Sequence, residues 1–180
     1  MLDKNLLLVD IGGTNIRYAY SNIGDCSFVS ENKAELESLN DFDNLISGLL
    51  VNSVVKNIVF SVAGPKVNNS IKMTNRNFEI DADAIKKRFN LKSCHLLNDW
   101  ESIGYSIKTF SENDFDDFKE GIPFNDNFLV IGPGTGLGAS VISGNNVIAT
   151  EIGNTNLGLS ALKSLLKINS DEFNLSLIHI

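Results

Sequence analysis

Apolar positions fall into a repeating order of strand, glycine turn and strand, interrupted by helices. Leu6 to Ile11 runs apolar up to its Asp10, as a buried strand does, and Gly12-Gly13 breaks it. Asn15 to Tyr20 reads as a second strand, so this turn joins two strands, and Cys26 to Val29 as a third. Phe42, Leu45, Ile46, Leu49 and Leu50 lie at i, i+3, i+4, i+7 and i+8, one apolar face of a helix with Asp41 as its cap. Ile58 to Val62 is a further buried strand ended by Gly64-Pro65, and Val67 to Met73 returns as a hairpin partner. Asp81 to Phe89 reads as a helix and His95 to Leu97 as a short strand. A helix follows from Asp99, with Trp100, Ile103 and Ile107 facing inward.

Residues 111–127 are acidic and loop-like, and they divide the pattern. Residues 1–110 make a small amino-terminal lobe, 111–127 a hinge, and 128–174 the start of a larger lobe. Phe128 to Ile131, Ala139 to Ile142 and Val147 to Ala149 are its strands, and a helix follows with Leu159, Leu162 and Leu166 on one face. Such a second lobe, unfinished, exposes apolar surface along Phe128 to Ile131 and Leu159 to Leu166. The alternation is that of an α/β protein.

Composition narrows the partners. The chain has 180 residues, 43% of them hydrophobic and 21% charged, enough apolar material for a real core. A net charge of -7 gives no footprint for nucleic acid or an anionic membrane. Bound phosphate must therefore be held by backbone amides and a metal ion. Two cysteines, Cys26 and Cys94, stand far apart, without zinc spacing or a disulfide framework. No run approaches the ~20 apolar residues of a membrane span, and the opening residues lack a signal peptide's pattern. A cytoplasmic protein is expected.

Four places carry candidate chemistry. Asp10-Ile11-Gly12-Gly13-Thr14 puts a carboxylate at a strand end before a glycine turn. Such a turn lets amides approach phosphate, and the carboxylate can hold Mg²⁺ directly or through water. It can equally be a tight hairpin whose Asp satisfies backbone donors. Because it feeds a strand, a Walker A loop or Rossmann fingerprint is disfavoured. Gly132-Pro133-Gly134-Thr135-Gly136-Leu137-Gly138 is a second such turn, or a flexible hairpin. Two turns, one per lobe, could grip a triphosphate. Asn98-Asp99 ends a strand and starts a helix. Asp99 there is either the helix cap or a general base that deprotonates a substrate hydroxyl for attack on a γ-phosphate. Glu151, with Gly153 and Asn154, could accept hydrogen bonds from sugar hydroxyls or simply face water. His95 and His179 have no partners at useful spacing, and Trp100 reads as core.

In order and approximate spacing these segments resemble the bacterial glucokinase family, within the superfamily of sugar kinases, actin and Hsp70-type ATPases. Val9 to Arg17 is similar to the superfamily's first phosphate motif. Ser61-Val62-Ala63-Gly64-Pro65, Met73-Thr74-Asn75 and Leu97-Asn98-Asp99 follow in glucokinase order, and Ile131 to Gly138 resembles the second phosphate motif. The resemblance covers residues 5 to about 166 and implies a ribonuclease H-like sugar-kinase/actin fold with one complete lobe and an incomplete second one. It implies ATP and Mg²⁺ as cofactors, Asp99 as catalytic base, and Asn98, Asp99, Glu151 and Asn154 as sugar ligands. It places ATP phosphates at Asp10, Gly12, Gly13, Thr14, Gly134, Thr135 and Gly136, with Mg²⁺ at Asp10. The implied reaction makes glucose 6-phosphate, and the resemblance allows a homodimer of the full-length protein.

Three departures qualify this. The family's Glu-Gly-Gly-His is Glu151-Ile152-Gly153-Asn154 here, and Asn154 has a shorter reach than imidazole, so sugar preference can differ. Phe78 stands where a Trp is common. A further sugar-binding Glu and the adenine-binding glycines would lie beyond Ile180. Leu175-Ser176-Leu177-Ile178-His179-Ile180 is the translation of CTG TCT CTT ATA CAC ATC, a string like the transposon end used in sequencing-library preparation. Residues 175–180 are accordingly expected to be a non-native tail, the natural protein to continue past about residue 174, and the 180-residue chain alone to be inactive. The alternatives are a kinase for another hexose, such as mannose or an N-acetylated sugar, and a non-catalytic sugar-binding or regulatory protein.

Overall fold

Strand β1 (Leu6–Ile11) sets the frame, because alternate residues Leu7, Val9 and Ile11 are almost wholly buried while Asp10 on its other face is exposed. The structure, a computed structural model, describes residues 3–12, 15–35, 38–51, 53–73, 78–116, 121–122, 125–133 and 137–150. β2 (Asn15–Ser21) pairs antiparallel with β1, and β3 (Val29–Glu35) antiparallel with β2. β4 (Asn57–Val62) pairs parallel with β1, and β8 (Ser93–Asn98) parallel with β4. The resulting five-stranded sheet has the order β3-β2-β1-β4-β8. Its antiparallel half faces a parallel half whose crossovers contain helices, as parallel pairing requires.

Helix α1 (Leu39–Leu50) lies in the crossover between β3 and β4 and buries Phe42 and Ile46 in the core cluster that also holds Leu7, Val9, Phe60 and Val62. The phenyl rings of Phe42 and Phe60 are 5.8 Å apart, tilted at 49°, a favourable aromatic geometry. The Tyr20 hydroxyl donates to the Leu49 carbonyl at 3.3 Å, tying the end of α1 to β2. The N-cap of α1 is Ser38, not Asp41. Asp41 is the third helical residue, and its carboxylate accepts from the Ser38 backbone N–H at 2.9 Å in a reciprocal capping box.

After β4 the chain builds a small separate sheet, β5 (Lys66–Val67), β6 (Ser70–Lys72) and β7 (Glu79–Asp81), in the order β5-β6-β7. The segment expected to return against β4 thus pairs within itself. Gly64 makes that departure possible: its φ is +149°, and a Cβ there would lie 2.7 Å from the Lys72 carbonyl oxygen. Helix α2 (Ala82–Arg88) is capped by Asp81, whose Oδ1 accepts from the Asp83 and Ala84 amides at 2.9 Å. Ile85 and Ala82 join the core.

The third expected strand lies later than the sequence pattern placed it. Residues 26–28 are exposed coil, and β3 is a nearly all-exposed polar strand at the sheet edge. Helix α3 (Asp99–Ser106) also differs from expectation. Its buried residues are Glu101 and Gly104, whereas Ile103 is 38% exposed. The reason is what α3 rests on: a second sheet of β9 (Asn127–Pro133), β10 (Leu137–Ser143) and β11 (Asn146–Thr150), in the order β11-β10-β9. A Cβ on Gly104 would lie 2.8 Å from Ser140 Oγ on β10, so only a bare Cα permits this approach. Phe128, Leu129 and Ile131 are 57, 57 and 54% exposed, as expected for that strand. The helix expected at Leu159 to Leu166 lies outside the described residues.

Candidate active site

The site forms where the parallel strands end. Ile11 pairs with Val62 and Val62 with Asn98, so β1, β4 and β8 stop in register at one edge of the sheet. The chain leaves that edge at Gly12, Ala63 and Asp99, and the Ala63 amide closes on the Ile11 carbonyl at 3.3 Å. Asp10 lies level with Ser61 and Leu97 across the sheet, and Asp99 follows two residues after Leu97, close enough for the two carboxylates to repel.

Which residue caps α3 decides what Asp99 can do. The cap is Asn98: its Oδ1 accepts from Trp100 N–H at 2.9 Å and Glu101 N–H at 3.3 Å. Glu101 completes a capping box by accepting from the Asn98 backbone N–H at 3.1 Å. The other end of the Asn98 amide donates to the Gly64 carbonyl at 2.9 Å, binding the turn after β4 to the turn after β8. Asp99 is thus the first residue of the helix and not its cap. Its Oδ1 shares the Trp100 N–H at 2.9 Å. Burial holds the Asp99 carboxyl above the usual carboxylate range. The Trp100 amide pulls it partly back, and the charge of Asp10 raises it further.

Two residues that sequence reading left aside, Lys66 and Glu101, support this turn. Lys66 Nζ lies 3.3 Å from Glu101 Oε2, with the Glu101 side chain only 12% exposed. The spacing Asn98-x-x-Glu101 is itself a capping-box signature and was the available signal.

Gly12 differs from the glycines of the second turn. Its N–H donates to the Asn15 carbonyl at 3.0 Å, so that amide serves the hairpin. A Cβ on Gly12 would meet the Asn15 oxygen at an ordinary 3.6 Å, so the described fold has room for a side chain there. Gly132 and Gly138 have no such room. They are cross-strand partners, and the Trp100 indole lies over the pair. A Cβ on Gly132 would come within 2.7 Å of Trp100 Cζ2, and one on Gly138 would overlap the pyrrole ring. The outer glycines of the second turn thus make space for an aromatic ring, besides whatever the inner ones do. Gly13, Thr14, Gly134, Thr135, Gly136, Glu151 and Asn154 lie outside the described residues, as do Thr74 and Asn75.

Of the remaining candidates, Cys94 is buried and its thiol is pushed up to about 12 by that burial, while Cys26 is exposed; neither adjoins the site. Among the described residues no cluster of three His, Cys, Asp or Glu side chains forms a cation cage, and no helix is long and apolar enough to cross a membrane.

A mixed sheet in the order β3-β2-β1-β4-β8 with its carboxylates at the carboxyl end of the parallel strands is the ribonuclease H-like fold found in sugar kinases. Two solved glucokinases superpose on it with a TM-score of 0.67. One is from an Antarctic psychrotroph, at 24% identity over 92% of this chain and 56% of the other. The second, from Balamuthia mandrillaris, is in complex with glucose, at 20% identity over 91% and 53%. The family model described as Glucokinase matches residues 7–166, and the chain belongs to that family. The glucokinase of Campylobacter jejuni subsp. doylei is 30% identical over 147 residues, 74% of this chain and 41% of its own length. That of Colwellia psychrerythraea is 32% identical over 150 residues, 78% and 44% respectively. The chain therefore spans about two fifths of the curated relatives it matches.

Proposed function

We propose that the whole protein is a hexose kinase that transfers the γ-phosphoryl group of ATP to the 6-hydroxyl of glucose, with Asp99 as general base. The observation that carries this is the release of Asp99 from capping by Asn98, at an edge it shares with Asp10. Its carboxylate takes the proton of the sugar hydroxyl as that oxygen bonds to the γ-phosphorus and the bond to the β-phosphate oxygen breaks, releasing ADP. A pKa above the usual carboxylate range makes Asp99 a better proton acceptor than a solvated aspartate.

Mg²⁺ fits this edge. Asp10 and Asp99 repel one another, and a divalent cation relieves that repulsion while needing only one or two protein carboxylates besides phosphate oxygens and water. Asp10 would hold it, directly or through water, and when bound it supplies charge neutralisation for the phosphoryl group. Gly12 carries no side chain to stand between the turn and a phosphate, although its own N–H is held by the Asn15 carbonyl. Asp99, Glu151 and Asn154 are the proposed sugar ligands, with Asn98, expected as a fourth, engaged instead by the α3 amides and the Gly64 carbonyl, and Gly13, Thr14, Gly134, Thr135 and Gly136 are the proposed phosphate contacts. The solved relative with glucose bound supports a sugar as acceptor.

Asn154 in place of imidazole keeps a second reading open, a kinase for another hexose. The test is ADP release by the whole protein across glucose, mannose, N-acetylmannosamine and N-acetylglucosamine. Glucose is expected to give the highest kcat/KM. A higher value for another hexose replaces glucose, and sugar binding without ADP release from any of them defeats the kinase reading.

A further inference from the structure

Trp100 contacts the proposed catalytic base through its backbone and the second glycine turn through its side chain. Its N–H donates to both Asp99 Oδ1 and Asn98 Oδ1 at 2.9 Å, so the direction of that N–H helps set the carboxylate. Its indole covers the bare pair Gly132–Gly138, with the six-membered ring over Gly132 and the pyrrole over Gly138. An aromatic ring laid across a cross-strand glycine pair replaces the side-chain packing that the pair lacks. Gly104, one helical turn on and on the same face of α3, seats against Ser140 and Val147 of the same sheet. With two seats on one sheet, α3 cannot rotate about its axis unless the hairpin moves with it.

We propose that Trp100 is a positioning residue that fixes Asp99 relative to the Gly132–Gly138 pair of β9 and β10, so that the base keeps one place against the second sheet during phosphoryl transfer. This rests on the kinase reading above. A ring removed from the glycine pair frees the first turn of α3, and a misplacement of the base by about 1 Å costs about 10²-fold in rate.

Two experiments on the whole protein test it. In steady-state kinetics, Trp100→Ala is expected to lower kcat by about 10²-fold with sugar KM changed less than about threefold. Trp100→Phe, which keeps a ring on the pair, is expected to recover most of that loss. Gly132→Ala, which evicts the ring, should resemble Trp100→Ala, and the double variant should be no worse than either alone. In fluorescence, MgATP is expected to change the tryptophan emission of the unaltered protein by a component that Trp100→Phe lacks. That measurement needs no variant at the glycine pair and stands even if Trp100→Ala fails to fold. Identical emission changes in the unaltered protein and Trp100→Phe overturn the inference, as does a folded Trp100→Ala with unchanged kcat. No turnover by the unaltered protein removes the kinase reading and this inference together, whereas turnover indifferent to Trp100 removes the inference alone.

Discussion

At Asp99 two demands on one carboxylate are separated by its neighbour. A helix start needs an acceptor for its open amides and the proposed phosphoryl transfer needs a base; Asn98 meets the first, which leaves the Asp99 carboxylate open to the second. The position has a thermodynamic cost. The pKa of Asp99 is raised on folding, so the native state favours its protonated form. Its contribution to stability is therefore fully present below the ordinary carboxylate pKa and lost as pH rises through its raised native value. At neutral pH the ionised group destabilises the fold, and Asp99→Asn is expected to melt higher than the unaltered protein at pH 7, with the gap closing in acid. A thermal scan at both pH values checks this. Activity follows the same group: the acid limb of kcat/KM should lie above the solvated carboxylate value of about 4. Asp10→Asn removes the repelling charge and should move that limb down, whatever it does to the rate. A limb that stays in place would count against the coupling.

Among the elements, those legible in the sequence were the ones with an apolar face. Leu6 to Ile11, Phe42 to Leu50 and Asp81 to Phe89 matched their elements closely because burial of one face leaves a period in the sequence. β3 left no such trace, since Val29–Glu35 lies exposed at a sheet edge and polar residues there discourage pairing with other chains. On the inward face of α3, Trp100 lies as expected but Ile103 does not, for a different reason. The helix's neighbour is a sheet that begins over twenty residues later, and Gly104 and Glu101 meet it or the turn after β4 through small size and charge, not hydrophobicity. The role of Asn98 as cap was legible in its spacing to Glu101, whereas the residues at this turn had left Asp99 open between cap and base.

The cap also predicts energetics. Lys66→Met leaves a nearly buried Glu101 carboxylate without its cation and should cost about 2 kcal/mol in urea unfolding, a value discounted for the partial exposure of Lys66. Combining it with Glu101→Gln should cost less than the sum of the two singles. Gly12→Ala tests the opposite situation. With room for the methyl, stability should stay within about 0.5 kcal/mol of the unaltered protein, while KM for ATP is expected to rise under the proposed phosphate contact at this turn.

On the scale of the whole molecule, the register of three parallel strands brings Asp10, Gly12 and Asp99 to one edge, and α3 carries that edge to the second sheet. The most direct measurement is made on the whole protein with Asp99→Ala: glucose binding by calorimetry beside ADP release from ATP. Glucose binding should persist within about tenfold while turnover falls by about 10³-fold. Turnover within a few-fold of the unaltered protein would contradict the assignment of Asp99 as the base.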